Sequence, residues 1–254
     1  MNSTHSIIRA SDAEEICVRA AQEFLQLAAE AIAERGRFTV ALSGGSTPRT
    51  LYQLLSGRPY RMRVDWSQVE FFWGDERSVS PDDVESNFRM ASEAMLGKLP
   101  IPEENIHRMA AEREDLDVAA SDYQEMIASV LQVPADGPPP PLDLVLLGMG
   151  PDGHTASLFP HTAALEERRR WVVANEVPQL QTNRMTMTTP MINAARRVTF
   201  LVVGASKAEP LAEVLYGASV PEQFPSQLIA PANGTLNWLV DDAAAAKLPA
   251  SDDK

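Results

Sequence analysis

An aspartate and a histidine stand two residues apart in a glycine-flanked segment, where together they could move protons. They are Asp152 and His154 in GMGPDGHTASLFP (148–160), and the chain has only four histidines. Imidazole has an unperturbed pKa of about 6.5, which suits a general base near neutral pH. The alternative is that His154 only forms a hydrogen bond within the turn.

A second segment, SGGSTP (43–48), could bind an anion. Glycines after a strand let the backbone approach an anion closely, and the free N–H groups of a following helix favour a phosphate. The residues concerned are Gly44, Gly45, Ser46 and Thr47. A tight turn with a Ser or Thr helix cap would give the same letters. The segment is not a Walker A loop, because the required Gly-Lys-Ser/Thr is absent.

Charged residues that could complete such a site stand at the ends or edges of apolar runs. Asp75 and Arg77 lie in GDERS, directly after an apolar run. Arg184 opens RMTMTTP, and Lys207 lies in VVGASKAEPL. A guanidinium and an ammonium group would complete a phosphate site begun by SGGSTP. Each of these residues could equally belong to a solvated surface.

Dinucleotide binding is disfavoured although residues 148–153 match GxGxxG and Glu176 follows them. Pro151 lies inside the turn, and Pro160 leaves little room for the long helix that a Rossmann unit needs. We predict no cofactor.

No metal site is predicted either. HExxH and paired cysteines are absent, and His154 with His161 alone would need further ligands. A nucleophilic serine is not indicated, because the sequence contains no GxSxG motif. The single cysteine, Cys17, falls in an amphipathic helical pattern, so we predict a buried, inert thiol.

Strands must end where these polar segments begin. Apolar runs at 38–42, 69–73, 142–148 and 197–204 each precede a polar loop. Residues 12–35 show an apolar face, with Asp12 and Glu15 as a capping box and Gly36 as a stop. This alternation predicts an α/β fold with a mostly parallel sheet covered on both faces. The loops at the carboxyl ends of its strands should meet in one crevice.

The charge of the chain restricts its partners. Its 254 residues carry 22 Lys and Arg against 35 Asp and Glu, a formal net charge of −13, and most of the excess lies in residues 71–140. Nucleic acids and anionic membranes are bound through basic patches, so we predict neither as a partner. The single cysteine, the absence of a signal-like start and the absence of long apolar runs predict a soluble, cytoplasmic protein.

We predict one domain over residues 1–245, since α/β proteins of this length often form one unit. The segment VPADGPPPPLD (133–143) marks either a subdomain boundary or a surface loop, which leaves open a small subdomain or insertion around 100–141. We also expect a small additional α/β portion beyond the main sandwich. Residues 246–254 are predicted to form a flexible tail. We expect a monomer or a weak homo-oligomer.

Five segments, taken in order, resemble the 6-phosphogluconolactonase family, which hydrolyses a sugar-phosphate lactone in the oxidative pentose phosphate pathway. They are SGGSTPRTLYQLL (43–55), VEFFWGDERSVSPDDVESN (69–87), LDLVLLGMGPDGHTASLFP (142–160), RMTMTTPMINAARRVTF (184–200) and VVGASKAEPL (202–211). The resemblance runs from about residue 5 to 243. It implies a Rossmann-like three-layer α/β/α sandwich, which the family shares with glucosamine-6-phosphate deaminases.

The resemblance also implies roles for individual residues. His154 would be the general base that activates water, Asp152 would orient the site, and Arg77 would contact the substrate near the lactone. The residues implied to hold the substrate and its 6-phosphate are Gly44, Gly45, Ser46, Thr47, Asp75, Arg184 and Lys207. Water would attack the C1 carbonyl and open the ring without a metal or cofactor.

Two alternative functions stay open at this stage. The related deaminases, which isomerise an aldose to a ketose, carry a glutamate five residues after the histidine. This chain has Phe159 there, which cannot transfer protons, so the lactonase is favoured. A non-catalytic sugar-phosphate sensor that kept the phosphate loop is the other alternative, and the presence of both Asp152 and His154 argues against it.

Overall fold

The computed structural model describes residues 5–249. Its strands are β1 His5–Ala10, β2 Phe38–Leu42, β3 Val69–Trp73, β4 Asp75–Arg77, β5 Leu144–Gly148, β6 Val172–Val177, β7 Thr182–Met187, β8 Arg197–Val202 and β9 Thr235–Asp241. Its α-helices are α1 Ala13–Arg35, α2 Ser46–Ser56, α3 Asn87–Ala94, α4 Leu116–Leu131, α5 Thr189–Asn193 and α6 Ala208–Tyr216.

The large sheet has six parallel strands in the order β1-β9-β8-β5-β2-β3. Helices cover both of its faces, which confirms the predicted α/β architecture. Every residue of β2 is buried, and β5 and β8 are buried over most of their length. A strand covered on both faces has no solvent side, and this is why its sequence is continuously apolar.

Helix α1 begins and ends where its capping residues predict. The Asp12 carboxylate accepts the Glu15 N–H at 2.9 Å, and the Glu15 carboxylate reaches back to the N–H of Ser11 at 2.8 Å. Gly36 ends the helix in the left-handed conformation, with φ of 72°. The buried side chains of α1, from Ile16 to Ala31, recur every three or four residues and form one face.

The small sheet is antiparallel, with β7 between β4 and β6. The interpretation of GDERS as a loop is therefore wrong, because Asp75–Arg77 is strand β4. The chain stays extended after β3 because Gly74 is bonded on both sides. Its N–H donates to the Leu42 carbonyl at 2.9 Å, and its own carbonyl accepts the Met187 N–H at 2.7 Å. Gly74 thus joins the two sheets.

The expected alternation of strand, loop and helix also fails after β5. Residues 149–162 form turns and irregular chain, and a short 3₁₀ helix, Ala163–Glu166, precedes β6. Pro151 and Pro160 leave no room for a long helix between them, as their positions in the sequence indicated. The polar residues of this segment therefore lie on a helix-free loop.

Residues 100–141 contact both sheets. Ile106 forms a bridge to Phe71 in β3, and α4 packs against β6 of the small sheet. The indole N–H of Trp171 donates to the Gly137 carbonyl at 3.2 Å, which attaches the chain just before the four prolines. This segment therefore supplies the helix that covers the small sheet.

The predicted flexible tail of residues 246–254 falls partly outside the described residues. Up to residue 249 the chain is packed, since Leu248 is buried and the Pro249 carbonyl accepts from Arg9 Nη2 at 2.6 Å. Residues 250–254 of the predicted tail lie outside the described residues. Within residues 5–249, no helix combines the length and the apolarity needed to cross a membrane.

Candidate active site

The polar loops that leave the carboxyl ends of β2, β5 and β8 meet β4 and β7 around one cavity of about 290 Å³. All predicted site residues except Asp152 line it. These lining residues are Gly44, Gly45, Ser46, Thr47, Asp75, Arg77, His154, Arg184 and Lys207. Asp152 contacts His154 but does not itself line the cavity. The predicted crevice at the carboxyl edge of the sheet is therefore present.

The anion loop, residues 43–48, turns from β2 straight into α2. Gly45 caps this helix with φ of 106°, a conformation that favours glycine, and no side chain caps it. The first N–H groups of a helix have no acceptor within the helix, so those of Ser46 and Thr47 are available to a ligand. A Cβ on Gly44 would lie 1.9 Å from Oδ1 of Asn87, so only glycine allows this close approach to α3.

A buried tyrosine holds the base of the anion loop. The hydroxyl of Tyr52 accepts the Ser43 N–H at 3.0 Å and donates to the Ser43 carbonyl at 2.9 Å. Burial raises the pKa of this phenol, so it stays protonated. On the other side, the Cys17 thiol contacts the Thr47 carbonyl at 3.6 Å. Burial raises the pKa of Cys17 to about 11, which fits the prediction of an inert thiol.

Asp152 and His154 form a hydrogen-bonded pair in the histidine loop, residues 148–160. Oδ1 of Asp152 is 2.5 Å from His154 Nδ1 and also accepts the His154 N–H at 3.2 Å. Burial tends to raise the pKa of Asp152, but the hydrogen bonds and charge of His154 outweigh it and hold this pKa below its usual value. An ionised carboxylate only accepts, so Nδ1 carries a proton, and in the neutral imidazole the lone pair is then on Nε2. A general base needs this tautomer.

The imidazole of His154 is held between a ring and the backbone. The buried ring of Phe159 stacks on it with centroids 4.0 Å apart. On the other side, a Cβ on Gly150 would lie 2.1 Å from Nδ1, so glycine is required there. The Arg184 guanidinium carbon lies 6.0 Å from the centroid of the same Phe159 ring. The Phe159 ring therefore lies against the His154 imidazole and near the Arg184 guanidinium.

Arg77 and Arg184 lie opposite each other on β4 and β7. Like charges in directly opposed positions destabilise a sheet. Burial, and then the charge of Arg77, lower the pKa of Arg184, and the Nε of each arginine is buried without a hydrogen-bond partner. Neither guanidinium forms an ion pair with any described residue. Two unneutralised guanidiniums at one cavity strongly attract an anion.

Lys207 and Asp75 lie at other parts of the cavity wall. Burial lowers the pKa of the Lys207 ammonium, while the charge of Asp152 acts in the opposite direction. Asp75 is buried, and its Oδ2 accepts from the Ser157 hydroxyl at 2.6 Å. The Asn87 amide donates to the Asp75 carbonyl at 2.9 Å. Asp75 is therefore held through its carboxylate by a residue of the histidine loop and through its backbone carbonyl by the first residue of α3.

Glu76, Asn87 and Ser157 shape the site, although the sequence did not single them out. The buried Glu76 carboxylate accepts the N–H groups of Asn87 and Phe88, each at 2.8 Å. Burial raises the pKa of Glu76, and these hydrogen bonds act against that rise. Glu76 thus fixes the start of α3 and, with it, the Asn87 side chain in the cavity wall.

One signal could have identified the role of Glu76. Successive side chains of a strand point to opposite sides. If GDER is interpreted as a strand, Asp75 and Arg77 share the cavity side and Glu76 faces away, as the structure shows. Asn87 and Ser157 gave no such signal, because their partners lie on other elements.

The assembled groups define what the cavity can do. An oriented imidazole can accept a proton, and three cations with free helix N–H groups can hold an anion. Within residues 5–249, no three His, Cys, Asp or Glu side chains are grouped so that they could hold a metal ion. The arrangement suits proton transfer on a small anionic substrate.

Comparison with known proteins gives this site a context. A family model described as glucosamine-6-phosphate isomerases/6-phosphogluconolactonase matches residues 11–238. A 6-phosphogluconolactonase of Synechocystis sp. is 47% identical over 220 residues, which cover 86% of this chain and 88% of the relative. A 6-phosphogluconolactonase of Mycobacterium tuberculosis is 39% identical over 243 residues, which cover 94% of this chain and 96% of the relative.

Solved structures show the same fold. The 6-phosphogluconolactonase from Trypanosoma cruzi superposes with a TM-score of 0.86 at 29% identity, covering 98% of this chain and 99% of that one. A monomeric glucosamine-6-phosphate deaminase superposes with a TM-score of 0.79 at 21% identity, covering 95% of this chain and 99% of that one. At that identity the second likeness concerns the fold alone.

Proposed function

Because the chain belongs to the glucosamine-6-phosphate isomerase/6-phosphogluconolactonase family, we propose that it hydrolyses 6-phospho-D-glucono-1,5-lactone to 6-phosphogluconate with His154 as the general base. This reaction is a step of the oxidative pentose phosphate pathway. One observation carries the assignment of the site: the Asp152–His154 pair borders a cavity that also contains three cations without carboxylate partners among the described residues.

The first step is deprotonation of water. Nε2 of His154 takes a proton from the water molecule as the water oxygen bonds to C1 of the lactone. The electron pair of the carbonyl moves onto its oxygen. Asp152 keeps the Nδ1 proton in place and stabilises the imidazolium that forms. The short contact of 2.5 Å between Asp152 Oδ1 and His154 Nδ1 supports this role.

The second step opens the ring. The oxyanion collapses, the bond between C1 and the ring oxygen breaks, and the ring oxygen leaves with the electron pair. It receives the proton that His154 took from water, so the imidazole returns to its neutral form. Arg77 is our candidate for stabilising the oxyanion, together with backbone N–H groups of the loops. Its position in the cavity wall supports this role.

The phosphate is assigned to the other side of the cavity. The start of α2 would bind it through the backbone of Gly44, Gly45, Ser46 and Thr47, with Asp75 contacting the sugar. Arg184 and Lys207 would supply charge. Burial lowers the pKa of both cations, and a bound dianion would offset that effect. A phosphate therefore fits the electrostatics of this wall.

Phe159 favours the lactonase over the deaminase reaction. Its ring is buried and stacked on His154, in the position where the resemblance places a deaminase glutamate. A phenyl ring accepts and donates no proton, so it cannot assist the opening of a sugar ring. Lactone hydrolysis needs only the one base.

The test is hydrolysis of freshly prepared lactone, followed in a coupled assay beside a control without enzyme. The control is essential because the lactone also opens spontaneously. We expect a rate that rises in proportion to the protein added. A rate equal to the control would overturn the lactonase assignment, and release of ammonia from glucosamine 6-phosphate would favour the deaminase.

Three sequence-based expectations stay predictions. They are a cytoplasmic location, a monomer or weak homo-oligomer, and the absence of a nucleic-acid partner.

A further inference from the structure

A serine far along the chain holds the backbone beside His154. Ser226 lies between α6 and β9 and is 1% exposed. Its hydroxyl donates to the Gly153 carbonyl at 2.8 Å, and its backbone N–H donates to the same oxygen at 3.0 Å. A carbonyl oxygen has two lone pairs, so these two donors saturate it. Ser226 thereby determines the direction of the Gly153 carbonyl.

This carbonyl belongs to the same peptide unit as the N–H of His154. A trans peptide is planar, and its C=O and N–H point in opposite directions, so holding one also holds the other. The His154 N–H donates to Asp152 Oδ1 at 3.2 Å, and the same oxygen lies 2.5 Å from Nδ1 of the imidazole. Ser226 is therefore connected, through one rigid peptide, to the carboxylate that orients the base.

Gly153 allows this contact because it has no side chain. Its φ is 75°, and a Cβ there would lie 2.8 Å from Cδ1 of Phe224, two residues before Ser226. A second backbone contact runs from the His161 N–H to the Glu222 carbonyl at 3.2 Å. The histidine loop and the segment around Ser226 therefore pack as one unit.

The segment that contains Ser226 is itself anchored away from the cavity. The Gln227 side chain donates to the Glu213 carbonyl in α6 at 3.0 Å. The Asn193 side chain, at the end of α5, donates to the Leu228 carbonyl at 2.9 Å. The segment around Ser226 is therefore held in place by two helices, so Ser226 can fix the position of the histidine loop.

We propose that Ser226 is a positioning residue for the Asp152–His154 pair. It acts through the Gly153–His154 peptide and does not line the cavity. The proposal rests on the proposed function, in which His154 is the base. If the peptide rotates, the Asp152 carboxylate loses one of its two bonds to His154, and Nε2 moves relative to the attacking water.

The direct test is the substitution Ser226→Ala, which removes the hydroxyl and keeps the backbone donor. A small displacement of a reacting group lowers rates steeply, so we expect kcat to fall roughly 10- to 100-fold. KM should stay unchanged, because the anion loop and the cations are untouched. Ser226→Cys keeps the size and a weak donor, so it should fold and show a smaller fall in kcat.

Ser56→Ala is the matched control for loss of a buried hydroxyl. Ser56 is 9% exposed, and its single hydroxyl proton has two backbone carbonyls within hydrogen-bond distance, of Gln53 at 3.0 Å and of Ala94 at 3.1 Å. It lies at the far end of α2 from the cavity. We expect a lower Tm, as in Ser226→Ala, with kcat and KM of the wild type.

Proton NMR gives a readout that loss of stability alone would not change. The His154 Nδ1 proton, in a short bond to a carboxylate, should resonate far downfield, and His154→Ala identifies its signal. In Ser226→Ala this signal should shift or disappear. His107 provides an internal control, because its Nε2 lies 2.7 Å from Glu70 Oε2 in a second, remote pair whose signal should persist.

The outcomes separate the proposals. A normal kcat and an unchanged His154 signal in Ser226→Ala would overturn the role of Ser226, and so would a rise in KM at constant kcat. If the wild-type protein does not hydrolyse the lactone, the proposed function fails, while the NMR comparison still decides whether Ser226 positions the pair.

Discussion

The anion loop and the histidine loop leave neighbouring strands, β2 and β5, at the same edge of one sheet. Both are rich in glycine, yet they offer a ligand different groups. The anion loop passes directly into α2, so its backbone N–H groups are available. The histidine loop forms no helix, and the Gly150 N–H is bonded within the loop, to the His154 carbonyl at 2.9 Å. What it offers is a side chain.

This difference fits the two tasks that we propose for these loops, phosphate binding and proton transfer. Helix N–H groups do not titrate, so their capacity to donate hydrogen bonds to a phosphate does not change with pH. Proton transfer needs a group that changes its charge near neutrality, and only a side chain such as His154 can do so. Each loop is held by a residue outside it: Tyr52 bonds to Ser43, and Ser226 bonds to Gly153.

The largest expected effect comes from removing the proposed base in the histidine loop. His154→Ala should lower kcat by roughly 10²- to 10⁴-fold, the usual contribution of a general base, with little change in KM. Steady-state kinetics with fresh lactone, with circular dichroism as the folding control, measure this. Near wild-type turnover by the folded variant would contradict the assignment of proton transfer to the histidine loop.

Substitutions in the proposed phosphate site should instead change KM. A hydrogen bond to a charged group contributes about 1.5–3 kcal/mol, so Arg184→Ala should raise KM roughly 10- to 150-fold and leave kcat largely unchanged. Arg49→Ala is the control, since Arg49 is an exposed cation on α2 that does not line the cavity. A fall in kcat at constant KM for Arg184→Ala would contradict the separation of tasks.

A smaller effect on KM is expected from removing the Tyr52 hydroxyl, which holds the start of the anion loop. Tyr52→Phe leaves the buried N–H and carbonyl of Ser43 without partners, so stability should fall by about 1–3 kcal/mol and KM should rise. Tyr123→Phe is the control, because its hydroxyl likewise joins the Trp73 N–H to the His107 carbonyl. Chemical denaturation and kinetics of both variants should show similar losses of stability but a changed KM only for Tyr52→Phe.

The smallest effect concerns the pH dependence of stability. The pKa of Asp152 in the folded protein lies below its ordinary value of 3.8, so its stabilising contribution is present above that pH and is lost as the pH falls through the folded pKa. The Tm difference between wild type and Asp152→Asn should therefore shrink from pH 7 to pH 3. The difference for Tyr52→Phe should stay constant, because the phenol is protonated throughout. A constant difference for Asp152→Asn would contradict the lowered pKa of Asp152.

Local patterns predicted the elements that local interactions form. The caps of α1 depend on Asp12, Glu15 and Gly36, which lie within a turn of the helix ends. The apolar runs 38–42 and 69–73 match β2 and β3 because strands buried on both faces need apolar residues throughout. The candidate residues of the anion loop and the histidine loop were also identified from local patterns, because glycine, aspartate and histidine at short spacings already restrict the possible chemistry.

Patterns failed where the partner lies far along the chain. Asp75–Arg77 forms a strand only because β7, more than a hundred residues later, pairs with it, and Gly74 is bonded to Leu42 and Met187. The sequence does not show which groups Asn87, Ser157 and Ser226 bond, since the role of a lone polar residue becomes visible only through its partner. Local sequence patterns do not specify such long-range pairings.

The sequence by itself determined the class of fold, the family resemblance and the residue types at the carboxyl ends of the strands. Only the tertiary structure decided that Arg77 lies opposite Arg184, that Nδ1 of His154 is bonded to Asp152, and that Ser226 holds the Gly153 carbonyl. The physical reason is directional. A hydrophobic pattern specifies which residues are buried, whereas a hydrogen bond or a pair of charges depends on the register and orientation of elements that meet only when the whole chain has folded.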